Sequence, residues 1–228
     1  VLLSSTISDY NNFEVSCYGG ADGEIDISIT GGTSVYTYNW TTSNGVGLVQ
    51  GQQDQTGLTV GLYSVVVTDE NGCSIEKSFT LTSPNEIAII STKKDFNGFN
   101  VSCNGSTDGE IDLNVSGGYL ATGSSYSYSW STNNGSGLSP TNKNQSGLSA
   151  GTYTVVATDD NGCSITQNIE IIEPNILSIS EIISDYNGFQ ISEAGENDGS
   201  INVSIAGGTG NYTYVWSTLD GSGLSVNS

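Results

Sequence analysis

"VSCYGGADGEIDISITGG" occupies residues 15–32, and at its centre, "GEIDISIT" at 23–30, apolar and polar residues alternate. Ile25, Ile27 and Ile29 alternate with Glu24, Asp26 and Ser28. A period of two puts the isoleucines on one face of a strand and the polar residues on the other. One face on a core and one in water is the situation of an antiparallel sheet. The stretch returns as "VSCNGSTDGEIDLNVSGG" at 101–118 and "ISEAGENDGSINVSIAGG" at 191–208. The inward set persists as Ile111, Leu113 and Val115, then Ile201, Val203 and Ile205, whereas Glu24 and Asp26 become Ser200 and Asn202 in the third copy.

Other landmarks recur at the same spacing: Trp40, Trp130 and Trp216; Tyr63 and Tyr153; Pro84 and Pro174. A period of about 90 residues is too long for a solenoid unit and suits a self-contained domain. The chain therefore divides into repeats at 1–84 and 85–174 and a truncated third at 175–228. "YLATGSS" at 119–125 is extra in the second repeat and reads as a loop insertion. "VYTYNW", "LYSVVVT" and "SIEKSFTL" continue the strand pattern, and no segment has a 3.6-residue apolar period. "GLTVGLYSV" and "GLSAGTYTV" place a Tyr at the opening of a strand, as in the tyrosine corner of immunoglobulin-like sandwiches. The expected fold is all-β, a tandem array of immunoglobulin-like β-sandwich repeats arranged as an extended rod.

The chain carries 24 acidic residues against 4 basic ones, a formal charge of -20, with no His. That balance excludes nucleic acid as a partner, since phosphate binding needs clustered Lys and Arg. It also attracts divalent cations weakly and without specificity. No apolar run approaches the ~18 residues of a membrane-spanning helix. The sequence opens and closes in mid-pattern, as a piece of a longer chain does.

"VTDENGCSI" at 67–75 and "ATDDNGCSI" at 157–165 raise a choice between a calcium loop and a turn. The D-x-N-G unit recurs at 95–98 and 185–188, with "DYNN" at 9–12. Asp first and Gly fourth are the preferences of a type I turn closed by a residue tolerating positive φ. An EF-type loop needs alternating ligands over twelve residues and flanking helices, and neither is present. The turn reading predicts positive φ at Gly72, Gly98, Gly162 and Gly188. Calcium stays open as the one cofactor, with Asp69, Asp159, Asp95 and Asp185 as candidate ligands. Asp22, Asp108 and Asp198, each just ahead of a strand, pose the same choice and again read as turns.

Each full repeat has one early and one late cysteine: Cys17 and Cys73, then Cys103 and Cys163. No C-x-x-C spacing suggests zinc or thioredoxin chemistry. Their matched placement predicts bridges within repeats, Cys17 to Cys73 and Cys103 to Cys163. Each would close a loop of about 60 residues, worth roughly 4 kcal/mol of chain entropy. Bridged cysteines in an all-β chain place it outside the cytoplasm. Glu193 replaces the early cysteine of the third repeat, so within-repeat pairing predicts that its late cysteine is missing too.

"YTYNW" (36–40), "YSYSW" (126–130) and "YTYVW" (212–216) put two Tyr and a Trp on one strand face. The face reads as core, with the Trp packed on a disulfide. The alternative is a glycan platform of Tyr126, Tyr128 and Trp130, which would make the array a carbohydrate-binding one. Without His or Arg, catalysis would fall to carboxylates in turns and on a variable outer face, so no catalytic residue is assigned and an enzyme is not expected.

Taken together, "VSCYGGADGEIDISITGGTSVYTYNW" and "GLTVGLYSVVVTDENGCSI" resemble the SprB repeat, found in many copies in very large surface adhesins of gliding bacteria. The resemblance covers both full repeats and the opening half of the third. It implies export by type IX secretion, display on the bacterial cell surface and movement along it by the gliding motor. The segment would then be a structural spacer in such an adhesin. Its partners would be neighbouring repeats of the same chain and, through the parent protein, a surface polysaccharide or substratum.

Overall fold

The computed structural model describes residues 1–224, which are all-β. The first repeat comprises β1 (Leu2–Ile7), β2 (Gly23–Thr30), β3 (Thr37–Thr42), β4 (Gln55–Leu58), β5 (Gly61–Thr68) and β6 (Ser74–Leu81). They form two antiparallel sheets, ordered β1-β2-β4 and β3-β5-β6. In immunoglobulin lettering these are A-B-E and C-F-G, which follow the strand order of that sandwich. The second repeat repeats it with β7 (Asn85–Lys93), β8 (Gly109–Gly118), β9 (Ser127–Thr132), β10 (Gln145–Leu148), β11 (Gly151–Thr158) and β12 (Ser164–Ile171), ordered β7-β8-β10 and β9-β11-β12. The third contributes β13 (Ser178–Ile183) paired with β14 (Ile201–Ala206).

By compactness the chain falls into two units. One is Val1–Ile90 with Leu113–Ser129 and Val155–Gln167; the other is Ser91–Asp112 with Trp130–Thr154 and Asn168–Ser228. Residues of the second repeat thus contribute to both.

In the two full repeats the period-two reading places the core correctly, whereas in the third Ile201 is exposed and Val203 and Ile205 are half-buried. Ile25 and Ile27 are fully buried and Glu24 and Asp26 are exposed. Ile25 pairs across to Ile7 and Ile27 to Ser5 on β1, and Ile25 also faces Gln55 on β4. From the other sheet come Trp40, Tyr63, Val65, Val67, Phe79 and Leu81. The second repeat buries Ile111, Leu113, Trp130, Tyr153, Val155, Ala157, Ile169 and Ile171 at the matching places. Each large apolar side chain so buried contributes about 1.5–3 kcal/mol. The Trp is core, as expected, but its ring partner is Phe79 at 6.0 Å rather than a disulfide.

The tyrosine corner is present in both full repeats. Tyr63 donates its hydroxyl to the carbonyls of Val46 and Thr59, at 2.9 and 2.8 Å. Tyr153 does the same to Ser136 and Ser149, at 2.9 and 2.8 Å. Gly45 and Gly135 lie against these rings, where any Cβ would collide with the phenol. A second anchor, which the sequence reading missed, is a buried glutamine. Gln55 accepts from the Val49 amide (2.7 Å) and donates to the Val49 carbonyl (2.8 Å). Gln145 clamps Ser139 in the same way, at 2.8 and 2.9 Å. The recurring "QTGL" and "QSGL" were its sequence signal.

Tyr153→Phe keeps the packing but leaves the Ser136 and Ser149 carbonyls without their phenol donor. Urea unfolding should show a loss of about 1–3 kcal/mol for the transition that includes the second repeat. An unchanged midpoint would contradict the corner's role.

Candidate functional site

The turn at 69–72 is the one the residues predicted. The Gly72 amide donates to the Asp69 carbonyl at 3.0 Å, the Asp69 amide to the Cys73 carbonyl at 3.0 Å, and Gly72 has φ 83°. Residues 159–163 repeat this, with Gly162 at φ 85°. The carboxylate braces each turn from inside. Asp69 Oδ1 accepts from the Asn71 and Cys73 amides at 3.0 and 2.8 Å, while Oδ2 accepts from Thr33 at 3.1 Å. Asp159 takes the same three positions, with Tyr119 in place of Thr33. Both aspartates are buried in these bonds.

Gly98 and Gly188 also have positive φ, 92° and 94°, but their turn differs from the one expected. Asn97 (φ 55°) and Asn187 (φ 56°) are left-handed as well, and Phe96 pairs with Phe99 and Tyr186 with Phe189. Two successive left-handed residues are the mark of a type I′ hairpin, for which Asn-Gly is the preferred pair. Asp95 and Asp185 stand one residue before the turn and accept from the Gly98 and Gly188 amides at 2.8 and 2.6 Å. Asp22, Asp108 and Asp198 bind the Ser16, Ser102 and Ser192 amides at 3.1, 3.0 and 3.1 Å. The calcium candidates Asp69, Asp159, Asp95 and Asp185 are each engaged by backbone of their own or an adjacent turn. Among the described residues no three His, Cys, Asp or Glu side chains gather into a metal-holding group.

The cysteine pairing has to be corrected. Cys17 is bonded to Cys163, with Cα atoms 5.7 Å apart, and Cys73 and Cys103 are free and exposed. The reason is strand length. Val15 donates to the Thr82 carbonyl at 3.0 Å, which puts Cys17 near the far end of β6, whereas Cys73 precedes its first residue. Eight residues at about 3.3 Å each hold the two cysteines roughly 25 Å apart, beyond the ~7 Å Cα limit of a disulfide. Asn100 bonds the Ile172 carbonyl at 2.8 Å, so Cys103 and Cys163 flank β12 in the same manner.

The bridge joins the early segment of the first repeat to the D-x-N-G-C turn of the second, both within one compact unit. Asn161, at the turn's tip, donates to the Ser16 carbonyl at 3.1 Å and accepts from Asn11 Nδ2 at 2.7 Å. Tyr119, from the insertion expected to be a plain loop, meets Phe13 edge-on at 6.4 Å. A groove of about 390 Å³ beside the bridge is lined by Tyr18, Pro84, Glu86, Gly118 and Ile165. With 146 residues between the bonded cysteines, chain entropy assigns the bridge roughly 5 kcal/mol.

The aromatic rows offer no open platform in the full repeats. Trp40 is 1% and Trp130 4% exposed. Tyr36, Tyr38, Tyr126 and Tyr128 are half-buried. Tyr126 donates to the Gly117 carbonyl at 2.6 Å, and burial raises the phenol pKa of Tyr126 and Tyr128.

The SprB repeat family matches the chain at three segments, 14–45, 99–135 and 194–221, one in each repeat. Over those segments the chain is similar to the SprB repeat. No curated protein matches the chain. Among solved structures, the amphioxus IgVJ-C2 molecule is similar at 14% identity, over 74% of this chain and 96% of that one, with a TM-score of 0.25.

Two outcomes are expected. Non-reducing peptide mapping should recover Cys17 joined to Cys163, with Cys73 and Cys103 alkylated; reduction should lower stability by several kcal/mol, up to roughly 5. A Cys17–Cys73 or Cys103–Cys163 peptide would contradict the assignment. The second concerns acid. Amides of Thr33 and Cys73 hold the Asp69 carboxyl below its ordinary range, and Ser102 and Ser192 do so for Asp108 and Asp198. Groups with depressed folded pKa stabilise above the unfolded value, near 4, and lose that contribution as pH falls through the folded one. Asp69→Asn should therefore melt lower than wild type at pH 6, with the gap closing towards pH 2. A gap independent of pH would show that the charge is not what braces the turn.

Proposed function

We propose that this segment is a stiff, non-enzymatic spacer and display element of a large extracellular adhesin. In the finer reading that adhesin is a gliding-motility adhesin, exported by type IX secretion to the bacterial cell surface. SprB repeats and an immunoglobulin-like fold support a structural repeat, and an exposed-cell-surface setting fits the disulfide. One observation carries the stiffness: the turn of the second repeat is covalently tied to the first, across a joint that is itself short. β6 ends at Leu81 and β7 begins at Asn85, leaving three residues between strands. Glu14 accepts from both the amide and the hydroxyl of Thr82 at 2.8 Å, and Pro84 removes one soft dihedral. A flexible array would need Gly/Ser-rich joints of several residues. The charge of -20 opposes collapse, more so at low salt.

Small-angle scattering of the oxidised chain should give an elongated particle with a narrow size distribution, which reduction broadens. Glycan arrays should be blank. A compact or widely variable oxidised particle would remove the stiff-spacer reading. A reproducible glycan signal lost on changing Tyr128, with the fold intact, would move binding into the repeats.

A further inference from the structure

We propose that Cys103 is half of a second inter-repeat disulfide, whose partner is the late cysteine in the D-x-N-G-C turn of a complete third repeat. Resting on the spacer reading, this makes the array a ladder in which the early cysteine of one repeat bonds the late cysteine of the next. By the same rule Cys73 is a late cysteine, the half that would pair with the early cysteine of a repeat placed before it.

Two grooves of the molecule are equivalent. A groove of about 530 Å³ contains Cys103, Asn104, Asn175, Ile176, Leu177 and Gly208. These stand where the bridged groove has Cys17, Tyr18, Asn85, Glu86, Ile87 and Gly118. The backbone closes both in the same way. Gly117 lies directly against the Glu86 carbonyl and Gly207 against the Ile176 carbonyl, so neither position has room for a Cβ. The receiving surface is repeated as well. Asn11, which holds the tip of the 159–163 turn, is left-handed at φ 60°, and its counterpart Asn97 is at φ 55°. Ser16, whose carbonyl accepts from Asn161, corresponds to Ser102, and the two amides are held alike by Asp22 and Asp108. Cys103 is exposed, and strand length bars it from Cys163.

Bond formation is thiol–disulfide exchange. The Cys103 thiolate attacks a small disulfide oxidant such as oxidised glutathione, giving a mixed disulfide and releasing one thiol. The late-cysteine thiolate then displaces the second. Two protein thiols are oxidised, one small disulfide is reduced to two thiols, and the protons given up by the protein thiols end on the released ones. Glu193 now has a different consequence from the one that within-repeat pairing predicts. A repeat placed after the third would find no partner at Glu193, whereas a late cysteine in a completed third repeat would have Cys103.

The test continues the chain after Leu224 with a copy of residues 139–173, which supplies the missing strands and the turn with its cysteine. The protein is oxidised in glutathione buffer and mapped without reduction. Cys103 should be found bonded to the supplied cysteine, with Cys17–Cys163 retained and Cys73 alkylated. Cys103 alkylated in a product whose circular dichroism shows the added strands folded would overturn the proposal. A bond from the supplied cysteine to Cys73 would do the same. A second variant needs no added segment: Cys17→Ser in the 228-residue chain should leave Cys73, Cys103 and Cys163 all open to alkylation, and a Cys103–Cys163 bridge would break the rule. The mapping reads connectivity and the scattering reads stiffness, so the ladder and the spacer can fail separately.

Discussion

A β-strand is a ruler, and eight residues of it separate the two cysteines of a repeat. β6 and β12 each span eight residues, with a late cysteine just before the first and the early segment bonded just beyond the last. An extended strand does not shorten, so no side-chain adjustment brings the two sulfurs together. Covalent closure of a single sandwich by these cysteines is therefore excluded by the same ladder that makes the sandwich. What remains is closure between neighbours, which requires the late cysteine to be presented outward on a fixed turn. Asp159 supplies that fixity: its carboxylate accepts the amide of Cys163 itself and that of Asn161, the residue that touches the first repeat.

Where the surface charge works against association, these local contacts have to hold the joint. The few cations do little to neutralise it. Lys94 pairs with Glu110 at 2.6 Å on the surface, where such a pair is worth ~0–1 kcal/mol, and Lys77 donates to Ser5. The joint instead combines uncharged elements: Asn161 against Asn11 and Ser16, Tyr119 against Phe13, and the sulfur bridge. None depends on ionic strength as an ion pair would.

The sandwich was legible because alternation is a local property: Ile25 and Ile27 announce their face without knowledge of any partner. The tyrosine corner was legible for a similar reason, since Tyr63 reaches the carbonyl of Thr59 only four residues upstream. The cysteine pairing was not. Repetition reports that Cys17 and Cys103 are equivalent and that Cys73 and Cys163 are, but not which ends of the sandwich they occupy. That depends on the early segment crossing to the end of β6, a long-range contact with no periodic signal. Tyr119 was hidden likewise, because an insertion looks dispensable until its neighbour is known. The Asn-Gly hairpins were misplaced by one residue, since Asp95 marks the Asx brace and Asn97-Gly98 the turn proper.

An immunoglobulin-like core often carries a bridge between its two sheets, on the B and F strands. Here those strands present Ile25 and Ile27 on β2 and Val65 and Val67 on β5, all fully buried. Branched aliphatic side chains fill that space without any redox chemistry, so each full repeat is held by packing, the tyrosine corner and the glutamine clamp. The cysteines are thereby free to act at the ends. The bridge is a constraint added outside the core, because no buried core residue is bonded to sulfur. The apolar core sets the stability of each full repeat, and the bridge adds its chain-entropy contribution to the unit it closes.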